Sequence, residues 1–88
     1  DPNHPVTQPA YPAGAIRRSE QGAVIVSVWV LPSGRVGDAR VDTGSGFELL
    51  DHAALIEART WRLLPATRDG VAIPQWYTVR VVFNLLDR

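Results

Sequence analysis

Asp42-Thr43-Gly44-Ser45 is the run in this chain most suggestive of catalysis. It spells the aspartic-protease signature, in which two such aspartates, one from each half-site, share a proton. A short chain could supply one half of a homodimeric enzyme. Against that, Asp42 falls at the exposed end of a strand and runs into a capped helix, and neither a flap hairpin nor a following apolar-apolar-Gly strand is present. Gly44-Ser45-Gly46 ahead of a helix could cradle an anion, but no Lys follows and the full phosphate-loop spacing is missing. Glycines that turn the chain and a serine that caps the helix account for it. His4 and His52 are the only imidazoles, far apart and without cysteine, so no metal-ligand set forms. Ser45, Asp51 and His52 lie too close in sequence to make a triad. Trp29, Trp61 and Trp76 could form a stacking platform for sugars or peptides. Trp61, however, falls in a helical core stripe, and Trp29 and Trp76 cover the sheet face opposite a row of valines. No catalytic constellation remains. The reading is a non-enzymatic chain with no cofactor, metal or small-molecule substrate.

Composition narrows the partner. Nine basic residues, all Arg, balance nine acidic ones, and the zero net charge argues against nucleic-acid binding. Cysteine is absent, which excludes disulfides and thiolate chemistry. No apolar run reaches the roughly 18–20 residues of a membrane span, so any anchor is expected outside these residues. At 88 residues the chain holds one small domain with a single two-layer core.

The elements follow from periodicity. Asp1 to Pro12 carries Pro2, Pro5, Pro9 and Pro12, and is expected to be extended and poor in internal hydrogen bonds. Residues 1–10 read as the end of a linker, and 11–88 as the domain. Pro12 to Arg18 suits a short helix with Gly22 as its stop. Ala23 to Val30 is a strand with Val24, Val26, Val28 and Val30 on one face and Ile25, Ser27 and Trp29 on the other. Apolar character on both faces makes it central. Leu31 to Arg35 is a turn, and Val36 to Thr43 is the return strand, wet on one face. Ser45 and Glu48 have capping-box spacing for a helix from Phe47 to Trp61, whose apolar stripe is Leu50, Ala54, Ala58 and Trp61. Ala66 to Pro74 reads as a loop punctuated by Asp69-Gly70. Trp76 to Leu85 is the third strand.

This order predicts an α+β two-layer sandwich: a three-stranded antiparallel-type sheet, order 2-1-3, with a long and a short helix packed on one face. A helical crossover joins strands two and three, which must then flank strand one. Strand three is left as a long free edge. Such an edge offers unpaired N–H and C=O groups for an added strand, or for a strand-exchanged homodimer.

Several motifs then combine in order: Gln8-Pro9-Ala10-Tyr11-Pro12, Glu20 with Gly22, Ser33-Gly34-Arg35-Val36, Ser45-Gly46 before Leu50-Asp51-His52-Ala53-Ala54-Leu55, Trp61-Arg62-Leu63-Leu64-Pro65-Ala66, and the closing strand Val79 to Leu85. With them the chain resembles the C-terminal domain of the TonB family of energy transducers over about residues 7 to 86. Ser33 stands where the family often has Asp, Leu63 replaces a frequent aromatic, and Gly14 falls near a position that some members fill with a basic residue. The resemblance implies a periplasmic domain carried on a proline-rich spacer from an inner-membrane helix, through which an ExbB–ExbD motor acts. It implies binding to the TonB box of an outer-membrane transporter for iron chelates, haem, cobalamin or other nutrients. Carried over by position, Gln8 and Pro9 lie near the captured box. Tyr11 and Pro12 are either contacts or packing anchors. Thr78, Val79, Arg80, Val81, Val82, Phe83 and Asn84 pair with the box. The C-terminal domain of TolA is a second reading within the same mechanical class, although the cysteine pairs usual there are absent.

Overall fold

The computed structural model describes residues 6–87, so the expectations for Pro2, His4 and Pro5 lie outside the described residues. Pro12, extended at φ −61° and ψ 134°, leads into helix α1, Ala13–Arg17. Gly22 is not its stop. Ser19 turns left-handed at φ 55°, and the amides of Ser19 and Glu20 return to the carbonyls of Ile16 and Ala15 at 3.0 and 2.8 Å. That pair of bonds is a Schellman ending, with serine in the position glycine usually takes.

Gly22 instead opens β1, Gly22–Val30, which pairs antiparallel with β2, Val36–Thr43. Its four alternate valines, Val24 to Val30, are all completely buried, as the two-residue repeat requires. Against them packs α2, Glu48–Ala58, through Leu50, Ala54 and Ala58. The alanines let helix and sheet approach closely. Trp61 completes the core at 1% exposure, but it lies beyond the helix rather than in it. The amides of Thr60 and Trp61 bond three residues back, to Glu57 and Ala58, and this tightened turn ends α2 before Trp61.

The capping box does not form. Phe47, extended at φ −125°, occupies the cap position and makes no side-chain cap bond. Ser45 turns instead to Asp51: its N–H and its hydroxyl both donate to Asp51 Oδ1 at 2.8 Å. A carboxylate one turn into the helix has taken the serine that the spacing assigned to Glu48.

The expected loop from Ala66 to Pro74 is a hairpin of β3, Ala66–Arg68, and β4, Val71–Ile73. Asp69 and Gly70, with φ of 53° and 81°, form its two-residue turn. Beyond Pro74, β5, Gln75–Phe83, pairs antiparallel with β1 along its full length. It ends two residues earlier than the apolar alternation predicts. Asn84 Oδ1 accepts the amide of Leu86 at 2.9 Å, and Leu85–Asp87 forms a 3-10 turn. The sheet order is β2-β1-β5, the predicted 2-1-3 with β5 as the third strand.

The β1–β2 turn docks on the chain that follows α2. Gly34, at φ 89°, accepts the amide of Leu63 at 2.9 Å, and Arg35 bridges to Arg62. The Ser33-Gly34-Arg35 and Trp61-to-Pro65 runs are therefore one structural unit. No helix among the described residues is long and apolar enough to cross a membrane.

Candidate peptide-docking edge

β5 alternates cleanly. Tyr77, Val79, Val81 and Phe83 face the core, with Val81 and Phe83 buried; Trp76, Thr78, Arg80 and Val82 are exposed on the far side of the sheet. Its nine residues pair with β1 from Val30↔Gln75 to Gly22↔Phe83 without a register shift. Among the described residues no strand pairs with its other edge. The side-chain amide of Gln8 donates to the Val82 carbonyl at 2.9 Å, which marks that carbonyl as outward-pointing. In an antiparallel ladder the N–H and C=O of one residue point the same way, and successive residues alternate. Trp76, Thr78, Arg80 and Val82 thus present their backbone groups at the free edge, while Tyr77, Val79, Val81 and Phe83 spend theirs on β1.

β2 is the other edge strand, and it is a poorer one. Its register against β1 shifts between Ile25 and Val26 and again between Trp29 and Val30. It also carries Asp38, Arg40 and Asp42, all exposed. Irregular register and charge are devices that discourage strand addition.

Residues 6–12 of the N-terminal arm carry no helix or strand, and their hydrogen bonds run to other elements. Trp61 Nε1 donates to the Thr7 carbonyl at 3.0 Å, and the Thr7 hydroxyl donates to Glu57 Oε2. Pro9 is buried in the free chain, which makes it an anchor there. Tyr11 stacks edge-on against Phe83 with centroids 5.3 Å apart, and its hydroxyl donates to the Glu20 carbonyl. Pro12 is half-buried at the start of α1. Gln8 alone of the entry motif extends its side chain to the edge. Asn84, placed on the closing strand by its sequence position, lies just past β5.

The remaining candidates separate. Asp42 Oδ2 accepts the Ser27 hydroxyl and its Oδ1 lies 3.4 Å from Arg40 Nε, whereas Ser45 is held by Asp51. No group of three or more potential metal ligands occurs among the described residues, and His52 is exposed on α2. Trp29 and Trp76 do lie together on the outer face, 5.4 Å apart and tilted by 50°. Sequence reasoning missed that the Arg40 guanidinium sits 4.6 Å from the Trp76 ring centre, a cation–π contact from β2 to β5 across β1.

Comparison with known proteins meets this geometry. The family model for the Gram-negative bacterial TonB protein C-terminal matches residues 7–85. The chain belongs to that family. Protein tonB2 of Pseudomonas aeruginosa is 40% identical to this TonB C-terminal domain over 77 residues, covering 88% of this chain and 28% of that protein. The solution structure of the Pseudomonas aeruginosa TonB C-terminal domain superposes with a TM-score of 0.67 at 25% identity, covering 90% of this chain and 80% of that one. The Helicobacter pylori domain shares the fold, with a TM-score of 0.68 at 24% identity over 89% of this chain and 82% of that one. This TonB C-terminal domain therefore spans a little over a quarter of the length of protein tonB2.

Proposed function

We propose that the outer edge of β5 takes up the TonB box of an outer-membrane transporter by strand addition, and that the domain passes mechanical work to it in the periplasm. The work comes from an inner-membrane ExbB–ExbD motor acting through a segment N-terminal to these residues, and serves uptake of iron chelates, haem or cobalamin-type nutrients. The domain is a coupling module, not an enzyme. Membership of the TonB family supports the general role. The observation that carries the edge assignment is β5 itself: nine residues in unbroken register with β1 and, among the described residues, no strand on the other side.

Trp76, Thr78, Arg80 and Val82 each present one N–H and one C=O. Each bond formed contributes about 0.5–1.5 kcal/mol net, and ordering the peptide offsets part of the sum. The result is a modest, reversible hold. Gln8 limits the register at the Val82 end. Its NH2 group is on the Val82 carbonyl, and its own side-chain oxygen is available to receive an amide of the incoming strand.

Calorimetry with a peptide from a transporter's plug terminus tests this. Arg80→Pro removes an outward N–H from the middle of the edge without removing a β1 ladder bond, and is expected to weaken binding by more than about tenfold. Unchanged affinity in a folded Arg80→Pro protein would exclude the β5 edge.

A further inference from the structure

Arg80 is the one charged residue in β5. It sits in the middle of the free edge, exposed on the outer face. Its side chain has no ion-pair, hydrogen-bond or ring partner among the described residues. Its neighbours on that face are uncharged: Thr78 and Val82 along the strand, Ile25 directly across on β1, and Thr43 across from Ile25 on β2. The other charges of the face lie on β2 and are engaged there. Arg40 Nε lies 3.4 Å from Asp42 Oδ1, and Asp42 Oδ2 accepts the Ser27 hydroxyl. Asp38, across from Trp29, accepts the Ala39 amide at 2.9 Å. Gln8, the arm side chain bonded to the edge, is uncharged.

The backbone groups of Arg80 point outward, so a strand added to this edge forms its hydrogen bonds beside it. Side chains alternate between faces with a period of two. The residue of the added strand directly across from Arg80 therefore projects on the same outer face, with the two Cβ atoms about 4.5–5.5 Å apart. At that separation a carboxylate reaches the guanidinium. Opposite charges in this position stabilise a strand pair, and like charges weaken it. We infer that Arg80 selects the incoming peptide, favouring one with Asp or Glu at the position across from it and disfavouring Lys or Arg there. This inference rests on strand addition at β5 and adds to it the charge of one residue of the partner.

The probe is a transporter plug-terminus peptide in which each position in turn carries Glu, Gln or Lys. It is titrated into the 88-residue chain by calorimetry, with hydrogen exchange at Thr78 and Arg80 recording where it binds. At one position Glu should bind about threefold more tightly than Gln, and Gln about threefold more tightly than Lys. Arg80→Glu should invert that order at that position and leave the others nearly unchanged, and Arg80→Gln should flatten it. A peptide that protects Thr78 and Arg80, but whose Glu, Gln and Lys versions keep one order in the parent chain and both variants, overturns selection by charge and leaves the docking edge standing. A shift common to every position, the mark of net charge alone, does the same. Binding that leaves Thr78 and Arg80 exchanging as before overturns the edge and this inference with it.

Discussion

Gly34→Ala probes the joint between the β1–β2 turn and the chain after α2. Gly34 has φ 89°, and a Cβ there would lie 2.6 Å from the Leu63 carbonyl oxygen. The left-handed conformation alone costs a residue with a Cβ about 1–2 kcal/mol. The obstructing atom is backbone, held in place because the Leu63 amide bonds the Gly34 carbonyl at 2.9 Å. Relieving the clash means loosening that bond, for about 1 kcal/mol more. The sum, about 2–3 kcal/mol, is a large fraction of the roughly 4–13 kcal/mol expected for a domain of this size. It corresponds to a fall in Tm of about 10–20 °C. Gly70 is the control: its φ is 81°, but nothing lies within 4 Å of a Cβ placed there, so Gly70→Ala carries strain alone. Urea unfolding of both variants separates the two contributions. A Gly34→Ala loss no greater than that of Gly70→Ala would refute the account of a sterically locked joint.

Asp51→Ala removes the acceptor of both Ser45 bonds, and should lower stability in urea by about 1–2 kcal/mol, whereas Glu48→Gln should change it by less than about 0.5 kcal/mol. Tyr11→Phe keeps the ring against Phe83 but loses the bond to the Glu20 carbonyl, for about 1 kcal/mol by the same assay. Trp61→Phe loses the indole donor to Thr7; heteronuclear relaxation should then show Thr7 and Gln8 moving more on the nanosecond timescale, with β1 unaffected.

The sheet was legible because its signals are regular. Four valines at alternate positions on β1, apolar residues on both faces, and a crossover between the flanking strands determine order and direction with little freedom left. Places where two local signals compete were less legible. Ser45 had both Glu48 and Asp51 within reach, and nothing in the spacing says that Asp51, one turn into α2, wins. The β3–β4 hairpin has strands of three residues each, too short for periodicity, although Asp69-Gly70 is a strong hairpin turn pair and was there to be read. Apolar alternation carried the third strand on to Leu85, but Asn84 can bond its own backbone two residues on, and it ends β5. At the candidate site, the free edge followed from topology. The pinning of the arm did not, because prolines report local stiffness and are silent on a long-range bond such as Trp61 to Thr7.

Backbone hydrogen exchange along β5, with and without a transporter plug peptide, tests the central claim most directly. In the free protein the amides of Thr78 and Arg80 should exchange rapidly while those of Val79 and Val81 are protected by β1, an alternation with a period of two residues. Saturating peptide should protect Thr78 and Arg80 as well and erase the alternation. If the peptide binds and those two amides go on exchanging as before, or if they are already protected without it, the outer edge of β5 is not where the partner docks.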